Sequence, residues 1–101
     1  MKRTLVRYKT RPEKADDNQR LIEKVFEELR AKSPAGLRYL ALRLADGSFV
    51  HFVTNDGGEG GSSLAELEAF RAFQGGIKER CDEPPLACGA SIIGNYRMLA
   101  E

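Results

Sequence analysis

The chain has 101 residues, 42% of them apolar and 31% charged, and 16 basic side chains against 15 acidic ones leave a formal charge of +1. That is the size of one domain, residues 1–101, with the make-up of a globular rather than a disordered or fibrous protein. Near-neutrality removes the long-range attraction that nucleic-acid and anionic-membrane binders rely on, and no run approaches the roughly 18 apolar residues that span a bilayer.

Met1-Lys2-Arg3-Thr4 leads straight into a mixed segment with no apolar signal region, so the expected address is cytoplasmic. So short a domain buries only roughly 60–65% of its unfolded surface, which makes a second subunit an expected partner. Cys81 and Cys88, with one histidine elsewhere, fall far short of a zinc signature, and are expected to be reduced thiols filling space. Neither a metal nor a cofactor is expected.

Thr4 to Thr10 alternates with a period of two, Val6 and Tyr8 on one face and Leu5, Arg7 and Lys9 on the other, which predicts a strand ended by Arg11-Pro12. Asp16 or Asp17 then offers an N-cap or a first-turn acid. Leu21, Ile22, Val25, Phe26 and Leu29 follow as the apolar stripe of a helix, which Ser33-Pro34-Ala35-Gly36 stops. Leu37 to Leu44 and Ser48 to Thr54 flank Asp46-Gly47, a strong signal for a two-residue hairpin turn. Counting outward from such a turn places Leu44 opposite Phe49, Leu42 opposite His51, Leu40 opposite Val53 and Arg38 opposite Asn55 on one side. The other side would carry Arg43 with Val50, Ala41 with Phe52 and Tyr39 with Thr54. Both faces are substantially apolar, so the second face is expected to meet something as well.

Asn55 to Ser63 is a glycine-rich loop, and Ser63-Leu64-Ala65-Glu66 fits a capping box that starts a second helix near Leu64. Its apolar positions are Leu64, Leu67, Phe70, Phe73 and Ile77, with a bend expected at Gly75-Gly76 and an end at Pro84-Pro85. Leu86 to Leu99 reads as a long last strand. The order β-α-β-β-α-β is the ferredoxin-like, α+β plan: a four-stranded antiparallel sheet with two helices on one face.

Four stretches then carry a family likeness: VRYKTRPEKADDN, PAGLRYLALRLADGSFVHFV, LAELEAFRAFQGGIKERC and GNYRML. In pattern and element length the chain resembles the dimeric α/β-barrel superfamily, the group of antibiotic-biosynthesis-monooxygenase-like proteins. The resemblance implies a homodimer in which two sheets close face to face into a barrel with the helices outside. It also implies candidate activities, among them oxygenation without a cofactor. Haem-degrading relatives use a histidine on the second helix and a tryptophan; this chain has no histidine there and no tryptophan at all. The same lack of tryptophan weakens the analogy to quinone-forming members.

His51 is the only histidine, and it stands mid-strand among apolar residues. It is a candidate general base for a phenol or other weak acid, with Arg38 or Asn55 near a developing oxyanion; the alternative is a core histidine bonded to a neighbour. Tyr8, Tyr39 and Tyr96 could line an aromatic pocket or simply pack. Arg7, Arg38, Arg43 and Arg97 at strand positions fit either an anionic ligand or pairing with acids such as Asp46 or Glu101 across subunits. DGGEGG matches neither phosphate-binding glycine motif, and its Asp56 and Glu59 would repel phosphate. RNA binding would need exposed aromatics on one strand face, whereas Phe49 and Phe52 alternate. Two functional readings result: a dimeric protein binding a small hydrophobic or aromatic molecule, and a cofactor-independent oxygenase acting on an aromatic or polyketide-like substrate with His51 as base.

Overall fold

The computed structural model describes residues 2–55 and 64–99. Strand β1 (Lys2–Thr10) leads through a 3-10 turn, Pro12–Lys14, into helix α1 (Ala15–Lys32). Strands β2 (Leu37–Arg43) and β3 (Ser48–Asn55) form the hairpin. A 3-10 turn, Leu64–Glu66, precedes α2 (Glu68–Gln74) and the one-turn α3 (Ile77–Arg80), and β4 (Cys81–Gly89) closes the sheet. All pairings are antiparallel and the order is β2-β3-β1-β4, the ferredoxin-like arrangement. No helix among the described residues is long and apolar enough to cross a membrane.

α1 forms where the stripe demands. Ile22 and Val25 are buried, Leu21, Phe26 and Leu29 pack at the edge of the core, and Asp16 and Asp17 sit in the first turn. The helix stops at Ser33, which takes a left-handed conformation and donates its N–H to Leu29 O at 2.7 Å. α2 starts four residues later than the capping-box reading. Its cap comes from α1 instead: the Glu28 carboxylate accepts from Ala69 N at 2.8 Å and Glu68 N at 3.4 Å, and binds Lys32 Nζ at 2.7 Å. These donors hold the Glu28 carboxyl below its ordinary range. Ser63 itself, like the rest of the loop at 56–63, lies outside the described residues.

Two expectations about the strands are corrected. The hairpin register is shifted by one: Arg43 faces Phe49, Ala41 faces His51, Leu40 faces Phe52, Tyr39 faces Val53 and Arg38 faces Thr54. The turn has three residues rather than two. Gly47 N donates to Leu44 O at 3.1 Å, Leu44 N donates to Ser48 O at 2.8 Å, and Gly47 takes φ +88°. The Asp46 carboxylate accepts from Ser48 N at 2.8 Å, which favours the longer turn. Because side chains alternate, the extra residue brings Tyr39 and Ala41, not Leu40 and Leu42, to the side of His51.

The second correction concerns β4, which begins at Cys81 and contains Pro84-Pro85. Prolines are tolerated there because β4 is an edge strand, and its register with β1 shifts between Arg7 and Lys9. Residues 90–99 are not strand. In their place the Asn95 side chain grips its own backbone, accepting from Met98 N and Leu99 N and donating to Leu99 O. Arg97, expected on a strand, takes φ +64° in this turn.

The two sheet faces differ completely. Val6, Tyr8, Tyr39, Ala41 and Phe49 face α1 and α2 and build the core with Val25, Leu67, Phe73 and Cys81. Leu5, Leu40, Leu42, Val50, Phe52 and Leu86 lie on the other side. Cys81 is a free thiol in the core, where burial pushes its pKa up, whereas Cys88 is a free and exposed thiol opposite Leu5 rather than filling space.

Candidate functional site

His51 stands on β3 between two strands. It faces Ala41 of β2 and Val6 of β1. Tyr39 and Tyr8 are therefore its diagonal neighbours on opposite flanks, a separation that long aromatic side chains bridge. The Tyr8 hydroxyl lies 2.8 Å from His51 Nε2, and the Tyr39 hydroxyl makes a short hydrogen bond with Nδ1. Around this trio Phe49 stacks on Tyr8 at 5.4 Å, Phe26 stacks on Tyr39 at 4.9 Å, and Phe73 lies 5.4 Å from the imidazole.

The network continues behind Tyr8. Asn18 of α1, fully buried, donates from Nδ2 to the Tyr8 hydroxyl at 2.8 Å, and its Oδ1 accepts from Arg80 Nε at 3.1 Å. Arg80 also donates to Phe73 O in the last turn of α2 and to Gly75 O at its C-cap, with its guanidinium over the Phe73 ring at 5.5 Å. The left-handed Gly76, φ +79°, turns the chain so that α3 delivers Arg80 to this position.

Burial sets the charge state. Desolvation lowers the His51 pKa to about 4, so the ring is neutral at pH 7. Burial likewise raises both phenols, Tyr8 being pulled partly back by its bond from Asn18. Three titratable groups thus meet without carrying charge, and they act on one another as hydrogen-bonding dipoles.

A cavity of about 390 Å³ opens beside the trio, between the sheet and the second helical segment. Tyr39, His51 and Val53 line it from the sheet, Phe70, Phe73 and Ile77 from the helices, and Pro84-Pro85 from the edge strand. Apolar walls with a few convergent polar groups are what a small-molecule site needs. No cluster of three or more metal-ligating side chains lies among the described residues.

Of the sequence candidates, the fold brings His51, Tyr8 and Tyr39 together. Arg38 and Tyr96 meet elsewhere, in a groove of about 550 Å³ on the other sheet face, beneath residues 91–99. Neither Arg38 nor Asn55 lines the cavity at His51, and Asn55 closes β3 opposite Leu37. Arg43 lies away from that cavity, bonded to Asp16 Oδ1 at 3.0 Å and Gln19 Oε1 at 2.8 Å. Arg7 pairs with Asp46 of its own chain at 3.6 Å. Sequence reading missed Asn18 and Arg80. Asn18 carried a signal, since it precedes Ile22, Val25 and Leu29 by helical steps and so falls on the buried stripe.

Architecture and site together define a ferredoxin-like α+β domain with a buried histidine–tyrosine cavity. No family model matches the sequence, and no curated protein matches it. Solved structures do match in fold. A candidate antibiotic biosynthesis monooxygenase from Nitrosomonas europaea aligns with TM-score 0.73 at 15% identity, over 91% of this chain and 89% of that one. A Mycobacterium tuberculosis protein aligns at 0.70 and 17%, over 93% and 96%. A candidate antibiotic biosynthesis monooxygenase from Caulobacter crescentus aligns at 0.67 and 12%, over 92% and 90%. The chain shares the fold of antibiotic-biosynthesis-monooxygenase-like proteins, as the sequence pattern anticipated.

Proposed function

We propose that this protein is a cytoplasmic homodimer whose inner cavity binds a small, mostly apolar ring compound carrying one polar group. The cavity of about 390 Å³ with His51 and Tyr39 in its wall carries this reading. His51 and Tyr39 are neutral there, Gln74 adds an amide, and Lys78 is the one charged side chain among the described residues that line it, which suits a ligand with a polar acceptor group. Titration with 1-tetralone, followed by methyl NMR, is expected to shift Val53 and Ile77 signals, and Val53→Trp is expected to abolish the shifts by filling the space. Unmoved methyl signals in the parent protein would overturn the ligand reading.

The homodimer rests on the outer sheet face. Leu40, Leu42 and Leu86 are 42%, 47% and 70% exposed there, and Leu5 and Ile92 are also open. Large apolar side chains exposed together on one sheet face suit an interaction site, and a second copy offers the matching surface. Arg3 Nε, on a residue of the same face, is buried without a hydrogen-bond partner among the described residues, a donor that an opposing subunit would satisfy. The free thiols of Cys81 and Cys88 agree with a reducing compartment. Sedimentation equilibrium is expected to show twice the 11.2 kDa chain mass, and Phe52→Asp to yield monomer or unfolded chain. A folded Phe52→Asp variant with unchanged mass would remove this interface.

The enzymatic reading has its own support in the fold neighbours named as candidate monooxygenases. For His51 to act as the base, however, it would have to exchange a tyrosine for substrate, because both ring nitrogens are engaged. Its lowered pKa also makes it a weak base. Oxygen uptake with a phenolic substrate, lost in His51→Asn, would favour this reading over simple binding.

A further inference from the structure

Resting on the reading of the inner cavity as a ligand site, the geometry points to a one-way hydrogen-bond relay, Arg80–Asn18–Tyr8–His51–Tyr39, that makes the cavity select ligands presenting a hydrogen-bond acceptor. The direction is set at its far end. A guanidinium has only donors, so Arg80 fixes which end of the Asn18 amide it faces: Oδ1 accepts from Arg80 Nε and Nδ2 must point at Tyr8. Arg80 cannot rotate away without giving up its bonds to Gly75 O and Phe73 O.

Each later step follows by exclusion. The Tyr8 oxygen accepts from Asn18, and its own hydrogen has one acceptor in reach among the described residues, His51 Nε2 at 2.8 Å. Neutral imidazole carries a single proton, which is thereby placed on Nδ1. Nδ1–H donates to the Tyr39 oxygen. The Tyr39 hydroxyl hydrogen, at the end of the relay, is then left without an acceptor among the described residues, and Tyr39 lines the cavity. The opposite polarity leaves the Tyr8 hydrogen with no acceptor in a buried site, an arrangement that folded proteins avoid. A carbonyl or other acceptor oxygen on a ring compound completes the chain; a ligand offering only an N–H meets a donor instead. Asn18 and Arg80 are positioning residues: Asn18 acts on the ligand through three intervening side chains and Arg80 through four.

His51 is the only histidine, so its two ¹⁵N resonances report the tautomer without ambiguity. At pH 8 the native protein is expected to show a protonated Nδ1 and a bare Nε2. Asn18→Asp, which replaces a donor with an acceptor, is expected to draw the Tyr8 hydrogen to the carboxylate and reverse the whole relay, placing the proton on Nε2. Two probes of similar shape read the consequence: 1-indanone, which only accepts, and indole, which only donates. The native protein is expected to prefer 1-indanone by about tenfold, the usual scale for one matched buried hydrogen bond, and Asn18→Asp to prefer indole. Tyr39→Phe is expected to bring the two probes to parity. Should Asn18→Asp fail to fold, Arg80→Met serves in its place, with a mixture of His51 tautomers expected once the amide is free to flip. A native proton on Nε2, or an unchanged tautomer in folded Asn18→Asp, overturns the relay. Failure of both probes to bind a protein whose proton sits on Nδ1 instead overturns the cavity reading and leaves the relay standing.

Discussion

The two faces of this sheet are made by the same strands, one residue apart, yet they solve opposite problems. The inner face takes in polar groups and satisfies most of them, Thr10 Oγ1 being buried without a hydrogen-bond partner among the described residues. His51, Tyr8 and Asn18 are 4%, 2% and 0% exposed, and each hydrogen-bonds the next. The outer face interleaves apolar side chains with Arg3, Arg7, Lys9 and Arg38 and leaves several large apolar ones in water, Leu86 at 70% exposure among them. The inner face thus buries its apolar and most of its polar groups within one chain, whereas the outer face leaves large apolar side chains open to water. On the proposed homodimer, substitutions should behave differently on the two sides: inner ones act at any protein concentration, outer ones through assembly.

The largest effect is expected at Phe49, which is 1% exposed and stacks on Tyr8. Phe49→Ala should cost roughly 3–5 kcal/mol of unfolding free energy, the usual toll of a large aromatic removed from a core. Leu40→Ala on the outer face should cost less than about 1 kcal/mol in dilute monomer and more as concentration rises, since its loss is then felt by the assembly. Urea denaturation of both variants at two concentrations separates the cases. A concentration-independent loss of several kcal/mol for Leu40→Ala would erase the distinction between the faces.

Next in size is a pH effect confined to the inner face. The folded His51 pKa, about 4, lies below its ordinary value of 6.5, so between these values the unfolded chain binds a proton that the folded chain does not. Stability is therefore fully present above pH 6.5 and falls as pH drops toward 4, by roughly 3 kcal/mol in all. Glu28 and Asp46, whose pKa values are lowered from ordinary values of 4.5 and 3.8, add their own losses mainly below this window. Denaturation midpoints between pH 7 and 5 should decline in the native protein and stay nearly flat in His51→Asn. An equal slope in both would show that another group titrates there.

The contrast between faces also marks what was legible in the sequence. Period-two strands and the α1 stripe disclosed the element order and both apolar faces, because alternation follows directly from backbone geometry. The hairpin register did not follow, since Asp46-Gly47 serves a two-residue turn and a three-residue turn equally well, and the choice depends on the Asp46 carboxylate reaching Ser48 N. One residue of slip exchanged Leu40 and Leu42 for Tyr39 and Ala41 beside His51, so the aromatic candidates were visible before their meeting was. β4 was obscured by Pro84-Pro85, which reads as a break unless the strand is known to lie at an edge. Asn18 was readable as a polar residue on an apolar stripe. Arg80 was not, because its role arises only after the chain turns at Gly75-Gly76.

That turn supplies the smallest and most local test. Gly76 holds φ +79°, and a Cβ built there would meet Arg80 Nη1 at 3.7 Å and Glu79 Oε2 at 3.8 Å, both ordinary contacts. Space is therefore available, and the cost of Gly76→Ala comes from the left-handed backbone alone, about 1 kcal/mol. The inner face should otherwise be intact, with Arg80 still bonded to Asn18 and the His51 resonances in place. The outer face should not register the change, leaving the oligomeric mass as it was. A loss of several kcal/mol, or a displaced His51 signal, would mean that the turn and the polar interior are coupled more tightly than the Gly76 geometry allows. Thermal unfolding measured beside the His51 ¹⁵N spectrum distinguishes a backbone cost paid only at the turn from one transmitted through Arg80 into the core.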